Sequence, residues 1–76
     1  MKIKKNEIRK FIARRWCFTC GSNIAVIVDN EYLVFSYDTL IARYNLDTES
    51  MTYFNYNYYS KTTRTLQNIV EDELTF

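Results

Sequence analysis

Cys17 and Cys20 are the residues of this chain whose types and spacing point most directly to chemistry. A C-x-x-C pair can form a redox-active dithiol or half of a zinc site. A thioredoxin-like dithiol follows a strand and opens a helix, whereas here a helical pattern precedes the cysteines and strand patterns follow them. Zinc needs four Cys or His ligands, and the chain has two cysteines and no histidine. We expect reduced cysteines that pack as small apolar side chains, and neither a metal nor a cofactor.

The remaining residues offer no catalytic set. Without histidine, the chain lacks the usual general base and the Ser-His or Cys-His pairs of hydrolases. Its one glycine, Gly21, is too little for a glycine-rich phosphate loop, and no two carboxylates have the spacing of an acid–base pair. The sequence therefore predicts a protein with no catalytic residues that is not an enzyme.

Charge is strongly segregated along the chain. Residues 1–15 carry seven basic side chains and one acid, a formal charge of +6, whereas the remainder carries three basic and eight acidic side chains, a formal charge of −5. Two opposed fields of this kind favour binding of a charged macromolecule, because local potential steers encounter more than net charge does. The candidate contacts are the basic residues Lys5, Arg9, Lys10 and Arg14 and the acidic residues Asp29, Glu31, Asp47 and Glu49.

A run of aromatic side chains interleaved with asparagine occupies residues 53–59. Tyrosine and asparagine at this density are typical of base-stacking platforms and of protein-binding surfaces. A stacking platform would place Lys or Arg beside the rings, and this part of the chain is acidic, so protein binding is favoured. Tyr53, Tyr56 and Tyr58 are the candidate contacts, and the alternative is that half of the rings belong to the core.

The elements that must position these residues form one small domain over residues 1–76. With 47% hydrophobic and 17% aromatic residues the chain has the composition of a folded protein, although its core is near the lower size limit for folding alone. No apolar run reaches the length of a membrane span, and no apolar stretch after the N-terminal basic residues forms a secretory signal. We expect a cytoplasmic protein.

Hydrophobic periodicity predicts an α+β fold. Residues 6–16 show the i, i+3, i+4 spacing of an amphipathic helix with Asn6 as its N-cap. Residues 24–28 and 32–37 predict a hairpin, 40–44 predicts a third strand or a bulged continuation, and 51–56 predicts a fourth. Ser60, Thr62 or Thr63 then caps a second amphipathic helix, whose core positions include Leu66 and Ile69. The expected domain is an N-terminal helix, a three- to four-stranded antiparallel meander and a C-terminal helix packed on the sheet.

Several short motifs carry a resemblance to known proteins. The segment YLVFSYDTLIA at residues 32–42, followed by YSKTT at 59–63 and QNI at 67–69, resembles small uncharacterised proteins of bacteriophages and other mobile elements. These share an S-Y-x-T-x-I-A strand and a Y-S-x-T-T helix start, with a histidine where this chain has Leu66. The resemblance spans about 40 residues and implies a phage-type origin.

Small non-enzymatic phage proteins often act on host macromolecules. The resemblance therefore implies an accessory protein that inhibits a defence nuclease, as anti-CRISPR proteins do, by electrostatic and steric blocking in the host cytoplasm. The expected partner is a host defence protein such as an RNA-guided nuclease, whose recognition sites are rich in Arg and Lys. Two alternatives remain open: a nucleic-acid-binding regulator that uses the basic helix, and an oligomeric structural protein, a homodimer included.

Overall fold

A computed structural model describes residues 1–75 of the chain. Within them, a five-stranded antiparallel sheet is flanked in sequence by one helix on each side. A short 3-10 turn, Lys5–Glu7, leads into the first helix. The elements are α1 (Ile8–Ala13), β1 (Phe18–Cys20), β2 (Asn23–Val28), β3 (Glu31–Ser36), β4 (Thr39–Asn45), β5 (Ser50–Phe54) and α2 (Lys61–Leu74).

The sheet is a simple meander in which each strand pairs with the next one along the chain. The turn between β2 and β3 consists of Asp29 and Asn30, whose φ angles of 49° and 64° are those of a type I′ turn. Asp and Asn tolerate this left-handed conformation better than most residues, which explains why the chain reverses here. The N-terminal segment pairs with β1, because the backbone N–H of Ile3 donates to the Thr19 carbonyl over 2.9 Å.

The pairing of β3 with β4 contains a bulge at Ile41. Val34 lies opposite Ala42 and Phe35 lies opposite Leu40, so Ile41 is the extra residue. Its side chain is fully buried in the core. The bulge thus places two consecutive residues, Ile41 and Ala42, in the core and shifts the alternation of the following residues of β4 by one.

Both helices pack on one side of the sheet, which we call the inner face. On α1, Phe11 makes an edge-to-face contact with Phe18 of β1 at a centroid distance of 6.1 Å. On α2, the hydroxyl of Thr63 shares a hydrogen bond of 2.9 Å with Ser36 of β3. The core between helices and sheet is apolar and includes Ile8, Ile12, Ala25, Tyr32, Val34, Ile41, Ala42, Tyr44, Leu66, Val70 and Leu74.

Local contacts fix the start of α2. Ser60 is the N-cap, and its hydroxyl accepts a hydrogen bond of 3.2 Å from the backbone N–H of Thr63. The buried Gln67 donates from Nε2 to the carbonyls of Asn55 and Asn57, at 2.7 and 2.9 Å. These bonds hold the tyrosine-rich connection between β5 and α2 against α2.

The α+β prediction with a helix at each end is confirmed, but the predicted strand count is wrong, because the sheet has five strands rather than three or four. The missing strand is β1, whose three residues are too short to show a period of two. The predicted first helix is also too long. It begins as a 3-10 turn flanked by Lys4 rather than with Asn6 as N-cap, and it ends at Ala13. None of the helices within residues 1–75 is long and apolar enough to cross a membrane.

Candidate protein-binding surface

The side of the sheet opposite the helices, which we call the outer face, carries apolar side chains. Strand alternation sends one residue of each neighbouring pair to each face, so Leu33 points outward between the buried Tyr32 and Val34. The apolar residues of the outer face are the half-buried Ile24, Val26, Leu33, Phe35 and Leu40 and the exposed Val28. Cross-strand pairing makes them contiguous, with Ile24 opposite Phe35 and Phe35 opposite Leu40.

No element within residues 1–75 covers the outer face. The helices reach only the inner face, where Arg15 lies over the ring of Tyr44 at 4.5 Å and the Tyr32 hydroxyl donates to the Trp16 carbonyl over 2.8 Å. The partly buried apolar residues that pack against the core are Ile3, Leu46, Met51, Phe54 and Ile69, and none of these belongs to the outer face. The outer face is therefore an apolar surface that shields itself only by contacts among its own side chains.

Three polar or amphipathic side chains border this apolar surface. Arg43 of β4 lies on the outer face beside Leu33 and across from Tyr53 of β5. Its Nε is 3.8 Å from the carboxylate of Glu31, a partly exposed ion pair. Tyr53 is 45% exposed. An apolar centre with an Arg and a Tyr at its margin is the composition that protein interfaces favour.

The four acidic residues predicted from the sequence come together at one end of the sheet. Asp29 and Glu31 belong to the β2–β3 turn region, and Asp47 and Glu49 to the β4–β5 turn. In a meander these two turns lie at the same end, and here they are joined by the backbone N–H of Leu46, which donates to the Asn30 carbonyl over 3.1 Å. We call these four carboxylates the acidic end.

The four predicted basic residues lie on or beside α1, on the helix side of the sheet. Lys5, Lys10 and Arg14 are exposed. Arg9 is held by α2: its guanidinium is 2.8 Å from Glu73 and 3.4 Å from Asp72. The hydrogen bonds that Arg9 donates to these two carboxylates, above all to Glu73, raise the pKa of Arg9. The opposite charges seen in the sequence are thus partly paired within the fold, where Arg9 of α1 contacts Asp72 and Glu73 of α2.

The candidate tyrosines are exposed rather than buried. Tyr56 and Tyr58 lie on the connection between β5 and α2 and are 70% and 67% exposed, although Tyr56 also makes an edge-on contact with Phe54 at 4.6 Å. Neighbouring Tyr59 accepts a hydrogen bond of 2.9 Å from Asn55, which lowers the pKa of Tyr59. Only Tyr53 shares a surface with the apolar residues of the outer face.

Both cysteines are free thiols, and their surroundings differ. Cys20 lies in the core on the inner face, as a small apolar residue would, whereas Cys17 is exposed before β1. The expectation that both pack as apolar side chains is therefore wrong for Cys17. Within residues 1–75, no three His, Cys, Asp or Glu side chains are grouped to hold a metal ion.

Comparison with known proteins assigns the chain to a family. The model of a family of unknown function, DUF8033, matches residues 6–73. The chain belongs to the DUF8033 family. The DUF8033 match runs from the turn before α1 to the last turn of α2, so it includes all five strands and hence both the outer face and the acidic end. No curated protein and no solved structure matches the chain.

Sequence reasoning identified the acidic end but missed the outer face. The run Ile24-Ala25-Val26-Ile27-Val28 has the continuous apolar pattern of a strand buried on both sides. A usable signal was present nonetheless: the two predicted helices, in a chain of 76 residues, can cover only one face of a sheet of this width.

Proposed function

We propose that the protein is a non-enzymatic inhibitor that binds a partner protein through the outer face and the acidic end. The observation that carries the proposal is an apolar sheet face that no element within residues 1–75 covers, next to four clustered carboxylates. Contiguous exposed apolar surface is unfavourable in water and marks protein-binding sites in folded proteins. The absence of histidine and of a glycine-rich loop from the sequence supports a function by binding rather than by catalysis.

The size of the outer face supports a protein partner. Five strands spaced about 4.8 Å apart, with some six residues rising about 3.3 Å each, span roughly 400 Å² in projection. A standard interface buries about 800 Å² on each partner. The outer face alone supplies about half of this area, so a partner of standard size must also contact Tyr53 and the acidic end. A small ligand would leave most of the apolar face in water.

Charge specifies the chemistry of the partner. The acidic end carries Asp29, Glu31, Asp47 and Glu49, whereas the single basic residue of the outer face, Arg43, is already paired with Glu31. A complementary partner therefore presents a basic patch beside an apolar one. Nucleic-acid-binding channels contain such basic surfaces, and a protein that occupies the channel excludes the nucleic acid. With the resemblance to small phage proteins, this favours an RNA-guided defence nuclease as the target.

The basic residues of α1 support direct nucleic-acid binding less well. Their central member, Arg9, is committed to Asp72 and Glu73 and would lose both contacts by turning to a phosphate. Lys5, Lys10 and Arg14 remain as three exposed cations, of which Arg14 lies over the exposed ring of Trp16 at 5.1 Å. Nucleic-acid binding through this helix is therefore the outcome that the experiment must exclude.

Site-directed crosslinking in host cells tests the proposal. The photoreactive amino acid p-benzoylphenylalanine replaces Phe35 on the outer face or, as the matched control, Trp16 on the helix side. We expect one protein to be captured from position 35 and not from position 16, and mass spectrometry identifies it. That protein is then purified, its complex is reconstituted, and its nuclease activity is measured with and without the inhibitor.

Variants in the reconstituted complex separate the contributions of the outer face, the acidic end and the basic residues to binding. Leu33→Glu places a charge in the apolar centre, and we expect at least a 100-fold loss of affinity at any salt concentration. Neutralising the acidic end with Asn and Gln should slow association about tenfold in low salt and converge with the parent at high salt. Reversal of Lys5, Lys10 and Arg14 should leave binding unchanged. If that reversal alone abolishes binding, or if Leu33→Glu has no effect, the proposal is wrong.

Sedimentation of the protein alone provides a second check. We expect a monomer, because the proposed occupant of the outer face is a different protein. A dimer that Leu33→Glu converts to a monomer would assign the face to a second copy of this chain and contradict the proposal.

A further inference from the structure

A cavity lies on the inner side of the sheet, away from the outer face. It is a half-open pocket bordered by the turn and first residue of α1, the first residue of β2 and the first half of α2, and has a volume of about 200 Å³. Ile8, Leu66 and Ile69 form its apolar wall. The volume is below the roughly 300–1,000 Å³ of sites for drug-sized molecules, so any occupant must be smaller.

Asn23 contributes a buried polar group to this cavity. The residue is only 5% exposed, and its Oδ1 atom is buried with no hydrogen-bond partner among residues 1–75. A buried acceptor without a donor is unfavourable and uncommon in folded proteins. Its neighbours on the inner face of β2 and β1, Ala25 and Cys20, are apolar or nearly so. An amide at this position is therefore explained if its side chain turns the Oδ1 atom, which is closed to solvent in this packing, toward a hydrogen-bond donor in the cavity.

The remainder of the cavity lining is basic or neutral. Lys5 and Lys61 both line it, and no acidic residue does. Lys61 and Thr62 are the first two residues of α2, a helix of 14 residues. The first N–H groups of a helix have no partner within the helix and favour negative charge nearby. This side of the cavity is thus suited to a carboxylate or another small anion.

We infer that the cavity binds a small organic anion with an apolar body and a hydrogen-bond donor. The anionic group lies between Lys5 and Lys61, the apolar body contacts Ile8 and Ile69, and the donor reaches the Oδ1 atom of Asn23. A ligand in this position bridges α1 and α2. The inference is independent of the proposed function, because the cavity and the outer face lie on opposite sides of the sheet.

Titration with two matched probes, followed by two-dimensional amide NMR of the full chain, tests the inference. 4-Hydroxyphenylacetate carries an anion, a ring and a hydroxyl donor, whereas phenylacetate lacks the donor. A ligand of about 11 non-hydrogen atoms is expected to bind with a dissociation constant of about 1–10 mM. We expect 4-hydroxyphenylacetate to shift the amide signals of Asn23, Thr62 and Thr65, and phenylacetate to bind about tenfold more weakly.

Two variants assign the contacts. The double change Lys5→Met and Lys61→Met should weaken 4-hydroxyphenylacetate binding about tenfold, whereas Lys10→Met, which removes a lysine that does not line the cavity, should have no effect. Asn23→Leu should remove the difference in affinity between 4-hydroxyphenylacetate and phenylacetate. Should this variant fail to fold, the probe pair on the parent protein still decides. Equal affinity for the two probes, no shift of these amide signals by about 20 mM, or shifts confined to the outer face would overturn the inference.

Discussion

Truncating two leucines on opposite faces of the sheet gives the sharpest prediction of the fold. Leu66 of α2 is 1% exposed and lies in the core between helices and sheet, whereas Leu33 of β3 lies half-buried on the outer face. Leu66→Ala removes the same atoms as Leu33→Ala. The two substitutions therefore differ chiefly in how completely other side chains surround the leucine, and the better helix propensity of alanine works against the larger loss expected for Leu66→Ala.

The expected magnitudes follow from this difference. Leu66→Ala leaves a cavity within the core, and such changes cost about 2–5 kcal/mol. Leu33→Ala leaves no closed cavity, because no element of the described part of the chain covers the outer face, and should cost about 1 kcal/mol or less. In a domain of this size, 1 kcal/mol shifts the melting temperature by about 4–8 °C. The core variant should therefore melt at least about 8 °C lower than the parent or be unfolded at room temperature.

Thermal unfolding of both variants, followed by circular dichroism, provides the measurement. Val26→Ala, a second truncation on the outer face, serves as the control and should behave like Leu33→Ala. Equal destabilisation by Leu33→Ala and Leu66→Ala would show that the outer face is covered in the folded protein. A Leu66→Ala variant that keeps the parental melting temperature would show that α2 packs on a different face.

The other predictions concern groups inside the domain. Cys17→Ser should keep the parental melting temperature because Cys17 is exposed, whereas Cys20→Ser should lower it by burying a hydroxyl in the core. Burial raises the pKa of Tyr32 above its ordinary value, so the contribution of this residue to stability is complete below about pH 10 and is lost as the pH rises further. Chemical denaturation at pH 9 and 11 should therefore show a larger fall in the free energy of unfolding for the parent than for Tyr32→Phe. Arg9→Met should lower the melting temperature in dilute buffer but not in 1 M salt. Lys10→Met should leave the melting temperature unchanged at both salt concentrations. A parental melting temperature for Cys20→Ser, equal pH slopes, or an Arg9→Met effect that persists in salt would contradict these assignments.

Much of the fold was predictable because its signals are local. The type I′ turn at Asp29 and Asn30, the cap at Ser60 and the apolar stripe of α2 are each encoded within a few residues. The strand β1 was not predictable, because its three residues are held by pairing with β2 and with the N-terminal segment rather than by their own pattern. Non-local hydrogen bonds of this kind leave no periodic trace in a sequence.

The candidate surface was predictable only in its charged part. Acidic residues in two turns can be grouped once a meander is assumed. Whether Leu33 and Phe35 lie on the covered or the uncovered face of the sheet depends on which face the helices cover. The same limit applies to Arg9, whose partners Asp72 and Glu73 lie more than 60 residues away in sequence. Their ion pairs turn part of an apparent binding charge into a contact between α1 and α2.

The central claim is that the outer face contacts a partner protein. Cross-saturation NMR on the complex with the captured partner tests it most directly, with the methyl groups of this chain labelled and the partner irradiated. We predict strong transfer of saturation to the methyls of Val26, Leu33 and Leu40 on the outer face and none to Ile69 on the helix side. Strong transfer to Ile69, with none to Leu33, would contradict the claim and assign binding to the helices.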